Sequence, residues 1–155
     1  MAGSRSTKRY GKSAEFAVAA FLSKHSDLVS VLPHDSYADV VFEWNNKLYR
    51  VQIKSTNVRR KESQGSYRFD LRKGGNNRTR HYPRGQQDLF ALYCHPLEKI
   101  IFIADNRQNG CTYRHEDIVK IDTLESLEAA IQQVDNREKM EKLMSEKSPK
   151  TKGGA

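Results

Sequence analysis

The stretch Tyr37–Ser55, YADVVFEWNNKLYRVQIKS, leaves the chain little freedom. It predicts a two-stranded hairpin, Ala38–Trp44 and Lys47–Ser55, closed by Asn45-Asn46. Asparagine tolerates φ > 0, which a two-residue hairpin turn requires. A loop of that length sets the register, with Trp44 opposite Lys47, Phe42 opposite Tyr49 and Val40 opposite Val51. These pairs make one face apolar. One step further out, Asp39 faces Gln52, and Lys54 follows Gln52 by two residues on the same polar face. Opposed side chains lie roughly 5 Å apart at Cβ, within reach of one shared ion or phosphate. Ordinary sheet packing has no need for a carboxylate, an amide and a lysine grouped in this way.

At 155 residues the chain is expected to form one domain with a substantial core. No apolar run approaches the ~20 residues of a membrane helix. The basic start, MAGSRSTKRYGKS, lacks the apolar segment of a secretory signal. Cys94 and Cys111 are too few and too far apart for a disulfide framework or a cysteine zinc site, and read as reduced thiols. A net charge of +8 points to nucleic acid or another polyanion as partner. The distribution sharpens this. Arg59, Arg60, Lys61, Arg68, Arg72, Lys73, Arg78, Arg80 and Arg84 stand against only Glu62 and Asp70, whereas residues 85–136 are net acidic.

In chain order, residues 1–8 read as a mobile basic arm and 9–122 as the main domain. A helix is expected from Arg9 to about His25, with an apolar stripe of Phe16, Ala17, Ala20 and Phe21. Glu15 lies off that stripe, either as a helix-start carboxylate favoured by the dipole or as a further ligand aimed at the hairpin. Leu28–Leu32, Ser66–Leu71, Asp88–Tyr93 and Ile100–Asp105 read as strands, the last two central. No element is assigned to Thr112–Lys120, whose pattern is irregular. Thr123–Lys147 predicts a long helix, capped by Thr123 or Ser126, whose apolar positions extend to Met140, Leu143 and Met144. Residues 148–155 are expected to be disordered.

Phosphodiester hydrolysis needs an activated water, neutralised phosphoryl charge and a stabilised leaving oxygen, and Mg²⁺ can supply most of this. Mg²⁺ keeps several waters, so one or two carboxylates suffice to hold it. Asp39 is the leading metal-ligand candidate. Glu15 would add a second carboxylate and Gln52 an amide oxygen, and Lys54 can hold the water or the phosphate.

Gly11-x-x-x-Glu15, then Asp39, then Gln52-x-Lys54 on consecutive strands resembles the PD-(D/E)-x-K nuclease superfamily, with its restriction-endonuclease fold. From Ser13 to about Asp105, including YRVQIK and DLFALY, the chain looks like the small bacterial and phage homing endonucleases built on that fold. The resemblance implies an α/β (α+β) architecture with a mixed sheet flanked by helices. It also implies Mg²⁺-dependent double-strand cleavage, with Mn²⁺ as a substitute, and a homo-oligomer, dimer or tetramer. Asp39, Gln52 and Lys54 match the second, third and fourth motif places, and Glu15 the helix glutamate. Ala38 replaces the motif proline, and Gln52 replaces the acid of most members, a mark the homing branch shares. A nuclease of this kind is expected in the cytoplasm of a prokaryotic or phage-infected cell.

The Arg59–Arg84 segment follows directly on the catalytic strand. A β-ribbon there would present Arg68, Asp70 and Arg72 to a major groove, with Asn76, Asn77, Gln86 and Gln87 able to read adenine. Contacts to phosphate alone would give affinity without sequence information. His25, His34, His81, His95 and His115 show no zinc-ligand spacing and read as surface or turn residues, although His34 and His81 can approach the site from flanking loops. Three functions fit: a site-specific double-strand DNA endonuclease, a structure-specific nuclease such as a Holliday-junction resolvase, and a non-catalytic DNA-binding protein on a nuclease fold.

Overall fold

The computed structural model describes residues 2–58, 65–73 and 81–148. Its elements are α1 (Ala2–Ser23), β1 (Val29–Val31), β2 (Val40–Trp44), β3 (Lys47–Thr56), β4 (Ser66–Asp70), β5 (Leu89–Cys94), β6 (Lys99–Ala104), β7 (Gly110–Arg114), α2 (His115–Ile118) and α3 (Thr123–Lys147). The main sheet runs β1-β2-β3-β5-β6, parallel between β3 and β5 and antiparallel elsewhere, and β4 pairs with β7 in a separate ribbon.

The β2–β3 hairpin has the expected register, Trp44 against Lys47, Phe42 against Tyr49 and Val40 against Val51. Asn45 and Asn46 take φ of 51° and 63°, the paired left-handed geometry of a tight hairpin turn. The apolar face of this hairpin meets both long helices. Ala14, Val18 and Leu22 of α1 and Leu127, Ala130, Ile131 and Val134 of α3 pack with Phe42, Tyr49, Val51 and Phe102. Tyr67, Phe69 and Leu71 cover the opposite face with Tyr82, Phe90, Leu92, Ile101 and Ile118. With both faces covered, all six residues of β5 are buried.

Several expectations are corrected. Helix α1 begins at Ala2, so residues 2–8 continue the helix instead of forming an arm. Once a turn exists, each further hydrogen bond fixes only one residue, and no proline stops the ladder. Its buried stripe is Ala14, Val18 and Leu22, flanked by Ala17 and Phe21, while Phe16 is 59% exposed and Ala20 is exposed. β6 is a sheet edge, shielded by α3, so of the two strands expected to be central only β5 lies inside the sheet. The segment left unassigned, Thr112–Lys120, contains the end of β7 and all of α2. Its pattern is hard to read because β7 buries none of its residues completely. Asp122 caps α3, accepting from the Glu125 N–H at 2.9 Å. The distal stripe of α3 is uncovered, with Met140, Leu143 and Met144 all more than half exposed. Cys94 is buried, Cys111 is half-buried, and both are free. No helix among the described residues is long and apolar enough to cross a membrane. Beyond Ser148, the tail lies outside the described residues.

Candidate active site

Strand β3 is longer than β2, so its backbone runs past the end of its partner. Asp39, one residue before β2, fills that gap. Its N–H donates to Val51 O at 3.0 Å, and its Oδ2 accepts from the Ile53 N–H at 2.8 Å. The carboxylate thus satisfies a strand donor that would otherwise need another chain or water. The same Oδ2 accepts from Gln52 Nε2 at 2.7 Å. Oδ1 has no hydrogen bond among the described residues. Burial pushes the Asp39 carboxyl above its ordinary value, against the opposing pull of the Ile53 N–H, Lys54 and His34.

Glu15 reaches the site from α1. It is partly buried and makes no hydrogen bond among the described residues. Burial raises its carboxyl too, and the charge on Asp39 raises it further. Glu15, Asp39 and Gln52 line one open cleft of about 520 Å³, with His34, Tyr82 and Gln86 on its other walls. An adjoining hollow shares Glu15, His34 and Asp39 and continues along α1 past Lys8 and Lys12.

Lys54 shares the polar face, but its ammonium is otherwise engaged. Nζ donates to Arg72 O at 2.9 Å and lies 4.9 Å from the centre of the Tyr82 ring. Burial lowers its pKa, with Asp70 and Asp39 opposing. The neutral phenol beside it is raised to about 12, by burial first and then by Asp39 and Asp70.

The family model of PD-(D/E)XK endonucleases matches residues 5–136. The chain belongs to the PD-(D/E)XK endonucleases. A solved structure of a bacterial homing endonuclease aligns with a TM-score of 0.63 and 21% identity, covering 88% of this chain and 98% of that one. At that identity the likeness shows the fold: a mixed sheet with helices, α+β, of the restriction-endonuclease type. No curated protein matches the chain.

PD-(D/E)XK enzymes are nucleases that generally use divalent metals. Among the described residues no group of three or more His, Cys, Asp or Glu side chains is placed to hold an ion. The oxygen donors that fit a hard cation are the carboxylates of Glu15 and Asp39 and the amide of Gln52. Because Nε2 of Gln52 donates to Asp39, Oε1 is the atom free to bind. Two acids and a neutral oxygen suit an ion that keeps most of its waters. Such an ion would also reverse the raised titration of both acids.

In this PD-(D/E)XK chain, part of the basic segment is described. Arg68 is exposed on β4, and its Nη1 lies 3.4 Å from Thr112 Oγ1. Arg72 is paired with Asp70 through Nε at 3.0 Å and Nη2 at 2.9 Å. Lys73 lines the cleft that holds Glu15 and Asp39, and Arg84 lines a neighbouring groove. Arg59, Arg60, Lys61, Arg78 and Arg80 lie outside the described residues, as do Asn76 and Asn77. The ribbon is built by β4 with β7, whose residues come from a later part of the chain. Gln87 cannot read a base: it is 4% exposed, and Nε2 donates to Asp105 Oδ2 at 2.9 Å. Gln86 donates to Tyr37 O at 2.8 Å. His34 does line the cleft, whereas His81 lines a small cavity behind Tyr82. Sequence reasoning missed Tyr82, Lys8 and Lys12. Tyr82 sits in a polar stretch with no periodic signal, Lys8 was read into the basic arm, and Lys12 carries no pattern that marks it off from the rest of its helix.

Proposed function

We propose that the chain is a Mg²⁺-dependent, site-specific double-strand DNA endonuclease of the homing type. The observation that carries this reading is the Asp39–Gln52 hydrogen bond at the floor of an open cleft that Glu15 also lines. Asp39 Oδ1, the Glu15 carboxylate and Gln52 Oε1 would hold the cation, with Mn²⁺ a workable substitute. When bound, the ion polarises the phosphoryl oxygens and lowers the pKa of a coordinated water.

The chain's own residues do the rest. Lys54 positions the attacking water or a phosphoryl oxygen, and the lowered pKa of its ammonium eases proton transfer. Lys73 from the cleft wall and Lys8 and Lys12 along α1 hold flanking phosphates. Arg68 on the exposed face of β4 reads the groove, together with the segment that includes Arg59, Arg60, Lys61, Arg78, Arg80 and Arg84. Cutting both strands takes two such centres, so the working form is a homo-oligomer, a dimer or tetramer. The bare stripe of Met140, Leu143 and Met144 is the natural seam. Its place of action is the cytoplasm of a prokaryotic or phage-infected cell, where its substrate is found.

Incubation with a randomised duplex library and Mg²⁺, followed by sequencing of the cut ends, tests this reading. Recurrence of one sequence around the cut is expected. Cutting of four-way junctions regardless of sequence would replace it with a structure-specific nuclease. Tight binding with no cleavage in any divalent ion would leave a DNA-binding protein.

A further inference from the structure

Beside the active cleft, across a tight turn, lies a second groove of about 410 Å³. The turn is closed by Gln86 N–H donating to Pro83 O at 3.2 Å, and Gly85 takes the positive φ of 75° that it requires. Gln86 faces the active cleft, while Arg84 and Gln87 face the second groove. Arg107, Arg137, Asp105 and Glu141 complete that groove. Its cations thus come from three separate places: the turn, the loop after β6, and α3.

What distinguishes these arginines is how they are held. Arg107 Nη1 donates to the carbonyl of Tyr82 at 2.9 Å. Arg137 Nη1 donates to the carbonyl of Asp105 at 2.7 Å, and Nη2 to Asn106 Oδ1. Arg84 has no hydrogen bond among the described residues. None of the three is in an ion pair with a carboxylate there, unlike Lys47, Arg50, Arg72 and Arg114. Neutral oxygens orient a guanidinium and leave its charge and remaining donors unspent. Asp105 is likewise held by neutral donors and keeps its charge, so three arginines face two acids in this groove. Asp105 Oδ2 accepts from Gln87 Nε2, and Oδ1 accepts from the Arg107 N–H at 2.9 Å. Glu141 is the acid left without such a partner.

We infer that this groove is a second phosphate-binding site, which holds the backbone of the same DNA duplex away from the cut bond. The inference rests on the nuclease reading above and adds Arg107 and Arg137 to the DNA-contacting set. A guanidinium fork matches two phosphate oxygens, and a protein that neutralises phosphates releases counterions in proportion. Occupancy of both depressions fixes the direction in which the duplex crosses the turn at Pro83–Gln86.

The test is duplex binding, measured on the full chain as a function of NaCl with no divalent ion added. The probe is a fluorescent 30-base-pair DNA of mixed sequence. Arg107→Gln is expected to weaken binding and flatten the log–log salt slope by about 0.9, the share of one phosphate contact. Glu141→Gln, at an exposed position where folding is not at stake, is expected to tighten binding about two- to fivefold, the scale of one screened charge. Glu146→Gln, the same charge change further along α3, should do less. An unchanged slope for Arg107→Gln, or equal effects of the two glutamate variants, would overturn the second site and leave the nuclease reading standing. Failure of the unaltered chain to bind the duplex at all would overturn both.

Discussion

Gln52 Nε2 donates to Asp39 Oδ2 at 2.7 Å, so the amide and the acid act as a locked pair. Replacing the amide by a carboxylate puts two acceptors where a donor and an acceptor now meet. In EDTA, Gln52→Glu should lose about 1–3 kcal/mol of stability, the scale of a buried hydrogen bond left unmade. Millimolar Mg²⁺ should restore more stability to Gln52→Glu than it adds to the parent, because binding to the folded state alone stabilises by mass action. Thermal melts with and without Mg²⁺ measure both effects. Equal shifts in the two proteins would rule out Gln52 as part of the ion site.

Lys54 is half-buried, with its ammonium on Arg72 O and over the Tyr82 ring. Lys54→Ala should cost duplex affinity no more than the share of one phosphate contact, while slowing Mg²⁺-dependent cleavage by about 10²- to 10⁴-fold, the usual range for one positioned acid–base group. Single-turnover rates beside binding isotherms separate the two. Undiminished cleavage removes the lysine from the chemistry.

Stability of the metal-free protein should carry the signature of the two raised acids. Burial, and then Asp39, lifts the Glu15 carboxyl above its ordinary value, and burial lifts Asp39. Over that window the folded chain binds more protons than the unfolded one, so stability falls as pH rises through the raised values and then levels off. Glu15→Gln removes its share of the decline. Its urea midpoint should exceed the parent's at pH 7, and the gap should close below about pH 4, where the unfolded carboxyl is also protonated. A gap independent of pH would assign the effect to packing.

Arg72 is spent on Asp70, whose carboxyl it holds down to about 2. Asp70→Asn should release the guanidinium to the DNA backbone and steepen the salt dependence of binding by about 0.9. An unchanged slope would show that Arg72 faces away from the duplex.

Gly110 opens β7 under the guanidinium of Arg68. A Cβ there would meet Arg68 Nη2 at 2.7 Å and the Phe69 carbonyl oxygen at 2.7 Å. The arginine can swing aside, but the strand carbonyl cannot. Gly110→Ala should cost about 1–3 kcal/mol by denaturant titration, and adding Arg68→Ala should recover little of it.

The hairpin was legible because a two-residue turn and a period of two settle every pair between Trp44 and Val51. Helix α3 was legible in its extent, since its apolar positions keep one face through Val134, but not in its cap, Asp122. The β4–β7 ribbon was half legible. Tyr67, Phe69 and Leu71 announce β4, but its partner lies some forty residues on and shows no clean alternation. At the candidate site, the meeting of Asp39 with Gln52 was legible from the hairpin register, and Glu15 joins them in one cleft. The hold of Arg72 O on Lys54 was not legible, because it depends on how the chain returns across the sheet. Tyr82 and the Arg107–Arg137 groove were hidden for the same reason: they are products of tertiary closure, with no local pattern.

Strand β3 runs parallel to β5, so the chain must leave the sheet after Thr56 and come back from the far end before it can pair again. Everything between is an excursion anchored at both ends in the buried sheet. Under the proposed function, that excursion carries the arginines that read the groove, while Glu15, Asp39 and Gln52 stay on α1 and the β2–β3 hairpin. A new DNA target can then be acquired by rewriting or lengthening the detour, provided the Arg72 carbonyl and Tyr82 still hold Lys54.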